Sequence, residues 1–157
     1  MKGNDGTGNN SERNEWQTPQ ALWDKLNKQY RFNFDCCALK ENTKCNDYSS
    51  NFKQFMDIEL QKKICWMNPP FSKSLEMFKH FFKVVKKGIC IYRCDNLETK
   101  LWQDIILSNA SWILIPKGRI RYESMQGKGS RFPSALIGFN LPIPKFIKGK
   151  ILIIKWN

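Results

Sequence analysis

ICWMNPPFSKSLEMFKHFFKVVKKGICIY, residues 64–92, decides the architecture. Ile64 to Met67 is a short apolar run of buried-strand character. Ser74 to Lys86 then carries Leu75, Met77, Phe78, Phe81, Phe82 and Val85 at the spacing of an amphipathic helix. Gly88 is expected to stop that helix, and Ile89 to Tyr92 reads as a second buried strand. Strand, helix and strand in so short a stretch form a crossover unit, which joins parallel strands.

The pattern continues on both sides. Before it, Thr18-Pro19 predicts a helix start, with Thr18 as N-cap and Pro19 in the first turn. Leu22, Trp23, Leu26 and Tyr30 follow at helical spacing. Arg31 to Cys36 alternates into a short strand ending at Asp35 or Cys36, and residues 37–61 are polar and irregular, with a brief strand near Tyr48. Residues 1–14 are Gly, Asn, Ser and charge, which reads as a flexible tail before a single domain over 15–157. After the crossover unit come a helix at Leu101–Leu107 and a strand at Trp112–Ile115 closed by Pro116-Lys117-Gly118. Ile120–Tyr122 and Ala135–Phe139 are further strand candidates, and Ile151–Trp156 reads as a last strand. The expectation is an α/β fold: a mostly parallel sheet with antiparallel C-terminal strands added at one edge.

The chain has 157 residues, 41% hydrophobic and 13% aromatic, which excludes a disordered chain and suits one domain. Lysine and arginine outnumber acids 26 to 14, a net +12 that favours a polyanion such as nucleic acid. The six cysteines form no CxxC pair, and the single histidine, His80, sits among Phe78, Phe81 and Phe82, so a helix-surface place is expected and no metal site. No apolar run approaches the roughly 20 residues needed to span a membrane. With no signal peptide at the start, a cytoplasmic protein with reduced cysteines is expected.

Asn68-Pro69-Pro70-Phe71 carries the chemistry. Each proline fixes its own φ and holds the preceding residue extended, and neither has an N–H to compete for an acceptor. The Asn68 side-chain oxygen and a backbone carbonyl can both point outward as acceptors, beside the flat Phe71 ring. A planar group bearing an NH2, such as a purine or pyrimidine, fits such a pocket. In open α/β sheets ligands sit beyond the carboxyl ends of the strands, where both Asp35 and Asn68 are expected.

These residues resemble a known family. Trp16-Gln17-Thr18-Pro19, Phe32-Asn33-Phe34-Asp35 with Cys36-Cys37-Ala38, Trp66 to Ser72, Trp102, Ile115 to Ile120 and Pro133-Ser134 occur in the order found in the phage-type DNA N-6-adenine methyltransferases, the small Dam-like family. The resemblance covers about residues 15–140. It implies a Rossmann-like fold, S-adenosylmethionine as cofactor and DNA as partner, in the host cytoplasm if a phage encodes the chain. It places Trp16, Thr18, Pro19, Asp35 and Asn68 around the cofactor, with the Thr18 hydroxyl near its carboxylate, and makes Asn68, Pro69, Pro70 and Phe71 the target-amine pocket.

The chemistry is consistent with that assignment. Adenine N6 is a weak nucleophile because its lone pair is delocalised. Acceptors at Asn68 and the Pro69 carbonyl would draw it toward tetrahedral geometry and stabilise the developing positive charge. The base would be flipped out of the duplex and stack on Phe71. Lys117, Arg119, Arg121, Lys128 and Arg131 bracket a Gly/Ser-rich loop and suit phosphate contacts. One departure stands out: no glycine follows Asp35, where methyltransferases ordinarily carry a glycine-rich loop. Cytosine N4, RNA adenine, a glutamine amide, or a DNA-binding module without cofactor are the competing readings. Asp47 and Asp57 are the candidates for a ribose ligand.

Overall fold

The computed structural model describes residues 16–56, 58–123 and 132–153. The expected tail at 1–14, Asp57, Lys128, Arg131 and the end of the last predicted strand lie outside the described residues. Helix α1 is Gln20–Tyr30, strand β1 Phe34–Asp35, helix α2 Phe52–Met56 and strand β2 Ile64–Met67. A single 3-10 turn at Phe71–Lys73 leads into α3, Ser74–Val84, and then into β3, Lys87–Arg93. Helix α4 begins with π-type winding over Leu101–Ile106 and ends in an α turn at Leu107–Asn109. Strands β4 (Trp112–Pro116), β5 (Ser134–Phe139) and β6 (Gly149–Ile153) complete the described chain.

The six strands form one sheet in the order β1-β2-β3-β5-β4-β6. β1, β2 and β3 pair in parallel, with Phe34 opposite Cys65 and Met67 opposite Cys90. β5 runs antiparallel to both β3 and β4, so β4 points the same way as the first three strands. β6 is antiparallel to β4 at the edge. Parallel strands followed by antiparallel ones were expected, but not the placement. β5 is inserted inside the sheet between β3 and β4, rather than added outside.

Strand alternation explains how one sheet holds two cores. Successive side chains point to opposite faces. Cys65, Met67, Cys90, Tyr92, Ile113, Ala135 and Ile137 face one way and pack with Met77, Phe78 and Phe81 of α3 and Trp102 of α4. Trp66, Ile89, Ile91, Trp112, Leu114 and Leu136 face the other way and pack with Trp23, Leu26 and Tyr30 of α1. Burying each such large side chain stabilises the fold by about 1.5–3 kcal/mol.

Four local expectations are corrected. Gly88 does not stop α3, which ends at Val84 with the Val85 N–H bonded to the Phe81 carbonyl at 2.9 Å. It lies in β3, where a Cβ would come within 2.8 Å of the Cys65 carbonyl oxygen and 2.7 Å of the Phe81 ring, so it permits close approach of α3 and β2. His80 is buried, not on a helix surface, and meets Phe55 edge-to-face at 4.8 Å. Ile120–Tyr122 forms no strand. Instead Glu123 makes an isolated antiparallel bridge with Gln17, while Ile120 and Tyr122 fill the core. Thr18 does not cap α1. Pro19 holds the N-cap position without a side-chain cap bond, and the first free amide, that of Gln20, donates to the Glu123 carboxylate at 2.8 Å.

Candidate active site

β1 and β2 end side by side, and the chain leaving each of them builds one wall of a cleft of about 300 Å³. Trp16, Thr18, Asp35 and Asn68 all line it, together with Lys44 and Trp66. Parallel pairing brings Asp35 and Asn68 to a common rim, and the segment before α1 crosses over them.

Asn68 is held from one side. Its Nδ2 donates to the Trp16 carbonyl at 2.7 Å and approaches the Thr18 hydroxyl at 3.5 Å. A carbonyl can only accept, so the amide nitrogen must face Trp16 and Oδ1 must face the other way. The Trp16–Thr18 segment is fixed in turn by two backbone bonds between Gln17 and Glu123, 3.0 and 2.9 Å. The strap that descends from β4 through Lys117, Arg119 and Arg121 therefore ends on the segment that orients Asn68. Gly118, at φ +90°, turns that strap.

Asp35 organises the opposite wall. It is 3% exposed. Its oxygens accept the backbone N–H of Cys37 at 3.3 Å and of Lys44 at 3.1 Å. One carboxylate thus folds residues 36–44 around itself, doing with side-chain bonds what a glycine-rich loop does with backbone freedom. Burial pushes the Asp35 carboxyl up to about 6, against the pull of those N–H bonds and of the Lys44 charge. The Ser49 hydroxyl closes the loop on the Cys36 carbonyl. Lys44 Nζ reaches the Gln20 side-chain oxygen at 2.8 Å, which brings a cation to the same cleft.

The remaining predicted residues fall into groups. Pro19, Pro69, Pro70 and Phe71 do not line the cleft. Phe71 lies beyond Asn68 in an aromatic arc, with Phe132 at 5.3 Å and Tyr92 at 5.7 Å; Phe132 also touches Trp16 at 5.3 Å. Lys117, Arg119 and Arg121 are exposed on the strap. Asp47 is bonded to Lys63 at 2.7 Å and lines a separate depression of about 500 Å³ beside β1, away from Thr18 and Asn68. Lys44 belongs to no recognisable motif, and Gln17, although inside the Trp16–Pro19 element, acts through its backbone, which its side chain does not signal. The described residues contain no cluster of three or more His, Cys, Asp or Glu able to hold a metal, and no helix long and apolar enough to cross a membrane. All six cysteines are free, and burial pushes the Cys36 and Cys90 thiols well up, so they fill space as neutral groups.

Comparison with known proteins shows the family. A family model described as DNA N-6-adenine-methyltransferase (Dam) matches residues 6–136. The DNA N-6-adenine-methyltransferase of Haemophilus phage HP1 (strain HP1c1) is 30% identical over 117 residues, covering 71% of this chain and 68% of the relative.

Proposed function

The chain belongs to the DNA N-6-adenine-methyltransferase (Dam) family and is an adenine-specific DNA methyltransferase; from that premise we propose that it takes the methyl group from S-adenosylmethionine, by direct in-line displacement on an adenine flipped out of DNA. The observation that carries this reading is the orientation of the Asn68 amide. With Nδ2 engaged by the Trp16 carbonyl, Oδ1 is left as the acceptor of a residue that lines the cleft.

The cleft suits the cofactor chemically. It combines a buried carboxylate, a hydroxyl, an ammonium group and two indoles, Trp16 and Trp66, in a volume at the lower end of small-molecule sites. When bound, S-adenosylmethionine supplies a methyl group already activated by its sulfonium. The chain's residues do the rest. Asp35 offers negative charge to a cationic ligand and shapes the loop around it. Thr18 and Lys44 offer donors to a carboxylate. Asn68 Oδ1 and the Pro69 carbonyl accept the two N–H bonds of the target amine, stabilising positive charge as it develops on nitrogen. Holding the amine and the cleft on one rim supplies the positioning. Lys117, Arg119 and Arg121 face solvent on the strap and suit phosphate contacts, with Lys128 and Arg131 proposed to extend that surface. The likeness to a phage enzyme supports origin in a phage or mobile element, acting in the host cytoplasm.

The test is methyl transfer from labelled S-adenosylmethionine to mixed-sequence DNA, followed by mass spectrometry of the nucleosides. Label in N6-methyladenine is expected. Label in N4-methylcytosine, or in RNA alone, would replace the substrate assignment, and no transfer would overturn the reading.

A further inference from the structure

Leu97 is 40% exposed, and the loop that carries it leaves β3 at the rim beside Asn68. A lone apolar side chain on a surface is ordinary. Place and mounting set this one apart. Among the described residues, the other large exposed apolar side chains lie elsewhere. Leu39 lines the cleft beside Asp35, Met56 ends α2, and Phe146 leads into the edge strand β6, which carries Ile151 and Leu152.

The mounting is a tight turn. The Asn96 carbonyl accepts the Thr99 N–H at 3.1 Å and the Thr99 hydroxyl at 2.9 Å, which puts Leu97 and Glu98 at the two tip positions. The Leu97 carbonyl accepts from the Gln103 side chain at 2.7 Å, and the Gln103 N–H donates to the Thr99 carbonyl at 2.9 Å, so the tip is tied to α4. On the other flank, the Arg93 guanidinium forks onto the Asp95 carboxylate at 2.7 and 2.6 Å. Nothing in such a turn asks for leucine at its tip, where Gly, Pro, Asn, Asp and Ser dominate.

The place is next to the expected base pocket. Met67 pairs in parallel with Cys90, so the chain leaving β3 emerges beside Asn68-Pro69-Pro70-Phe71. The Arg93 guanidinium carbon lies 5.5 Å from the Phe71 ring centroid and 5.2 Å from that of Phe132. Leu97 follows Arg93 by four residues, a reach of at most about 14 Å. Lys73 and Lys100, exposed on the turns that follow β2 and β3, offer cations to a sugar–phosphate backbone. Glu98 beside Leu97 is exposed and makes the tip itself a poor phosphate contact. An adenine swung out of a duplex leaves a gap in the stack, and apolar side chains, leucine among them, wedge between base steps. We propose that Leu97 is the wedge that enters the stack where the target adenine has left, while Phe71 receives the base. This role rests on the base-flipping reading above and assigns the turn between β3 and α4 to DNA.

The test uses the full chain and two duplexes. One holds the adenine that the wild type methylates in a normal pair; the other holds it opposite an abasic site, where no pairing has to be broken. Leu97→Ala removes the wedge, and Leu97→Met keeps an apolar side chain of similar length. On the paired adenine, Leu97→Ala should lose about tenfold in kcat/KM and Leu97→Met little; opposite the abasic site, Leu97→Ala should approach the wild type. With 2-aminopurine at the target position, the fluorescence rise that marks a base leaving the stack should be smaller for Leu97→Ala. Affinity for S-adenosylmethionine should be unchanged. A wild-type rate for Leu97→Ala on the paired duplex would overturn the proposal, as would an equal loss on both duplexes, which would mean a structural role. The wild type separates the two levels. If it methylates single-stranded DNA alone, or nothing, the flipping reading and this inference fail together. If it methylates the duplex and Leu97→Ala does not discriminate, the wedge alone fails.

Discussion

Asn68 divides the carboxyl rim of the sheet into two regions built by opposite means. On the side of β1, the cleft is polar and local: Asp35, Cys37, Lys44 and Ser49 fold one short loop through hydrogen bonds among near neighbours. On the side of β3, the rim is aromatic and assembled from afar: Phe71, Arg93, Tyr122 and Phe132 come from four separate stretches of chain. Trp16 belongs to both, lining the cleft and packing on Tyr122 and Phe132. The difference matches the two ligands proposed for them. A small, charged cofactor is met by fixed dipoles and charges, and a flat base by flat surfaces.

The sharpest way to break this division is at the boundary. Asn68→Ala should lower the transfer rate about 100- to 1,000-fold, because the charge developing on the amine loses an acceptor. Calorimetry should show cofactor binding weakened no more than several-fold, from loss of the Trp16 bond. A parallel collapse of both would mean that the two regions are not separable. A smaller effect is expected from replacing Lys117, Arg119 and Arg121 together by glutamine. The salt dependence of DNA binding should become shallower by about 0.9 in log–log slope for each phosphate no longer neutralised, with cofactor affinity unchanged. A drop in cofactor affinity would show that the strap acts through Gln17–Glu123 rather than on DNA.

The smallest effect concerns pH. Asp35 is raised from an ordinary 3.8 to about 6 by burial. In the free protein, the stability this group contributes is fully present below its ordinary pKa and is lost as pH climbs through about 6. A cationic ligand reverses the preference, because it favours the carboxylate. Affinity for S-adenosylmethionine should therefore rise severalfold between about pH 5 and 7 and then level off. Asp35→Asn should flatten that profile. A flat profile in the wild type would show that the ligand's positive charge lies away from Asp35.

Much of this was legible in the chain. The crossover unit at 64–92 and the strand ends at Asp35 and Asn68 follow from short-range periodicity, and all appear in the fold. Thr18 shows the limit. Thr-Pro before a helical run reads as a cap, but a carboxylate from Glu123 takes that task and leaves the hydroxyl beside Asn68. His80 and Gly88 were misplaced for a related reason, since burial by Phe55 and close packing on Cys65 are supplied by distant residues.

By itself, the sequence determined the alternation of helix and strand, the two-faced strands and the rigid Asn-Pro-Pro turn. Apolar spacing and proline's fixed φ act within a few residues and need no partner. Only the tertiary structure decided the insertion of β5 between β3 and β4, the direction of the Asn68 amide, and the union of Arg93 with Asp95, Phe71 and Phe132. Those depend on which distant segments meet, and a pairing between distant segments leaves no periodic trace in either one.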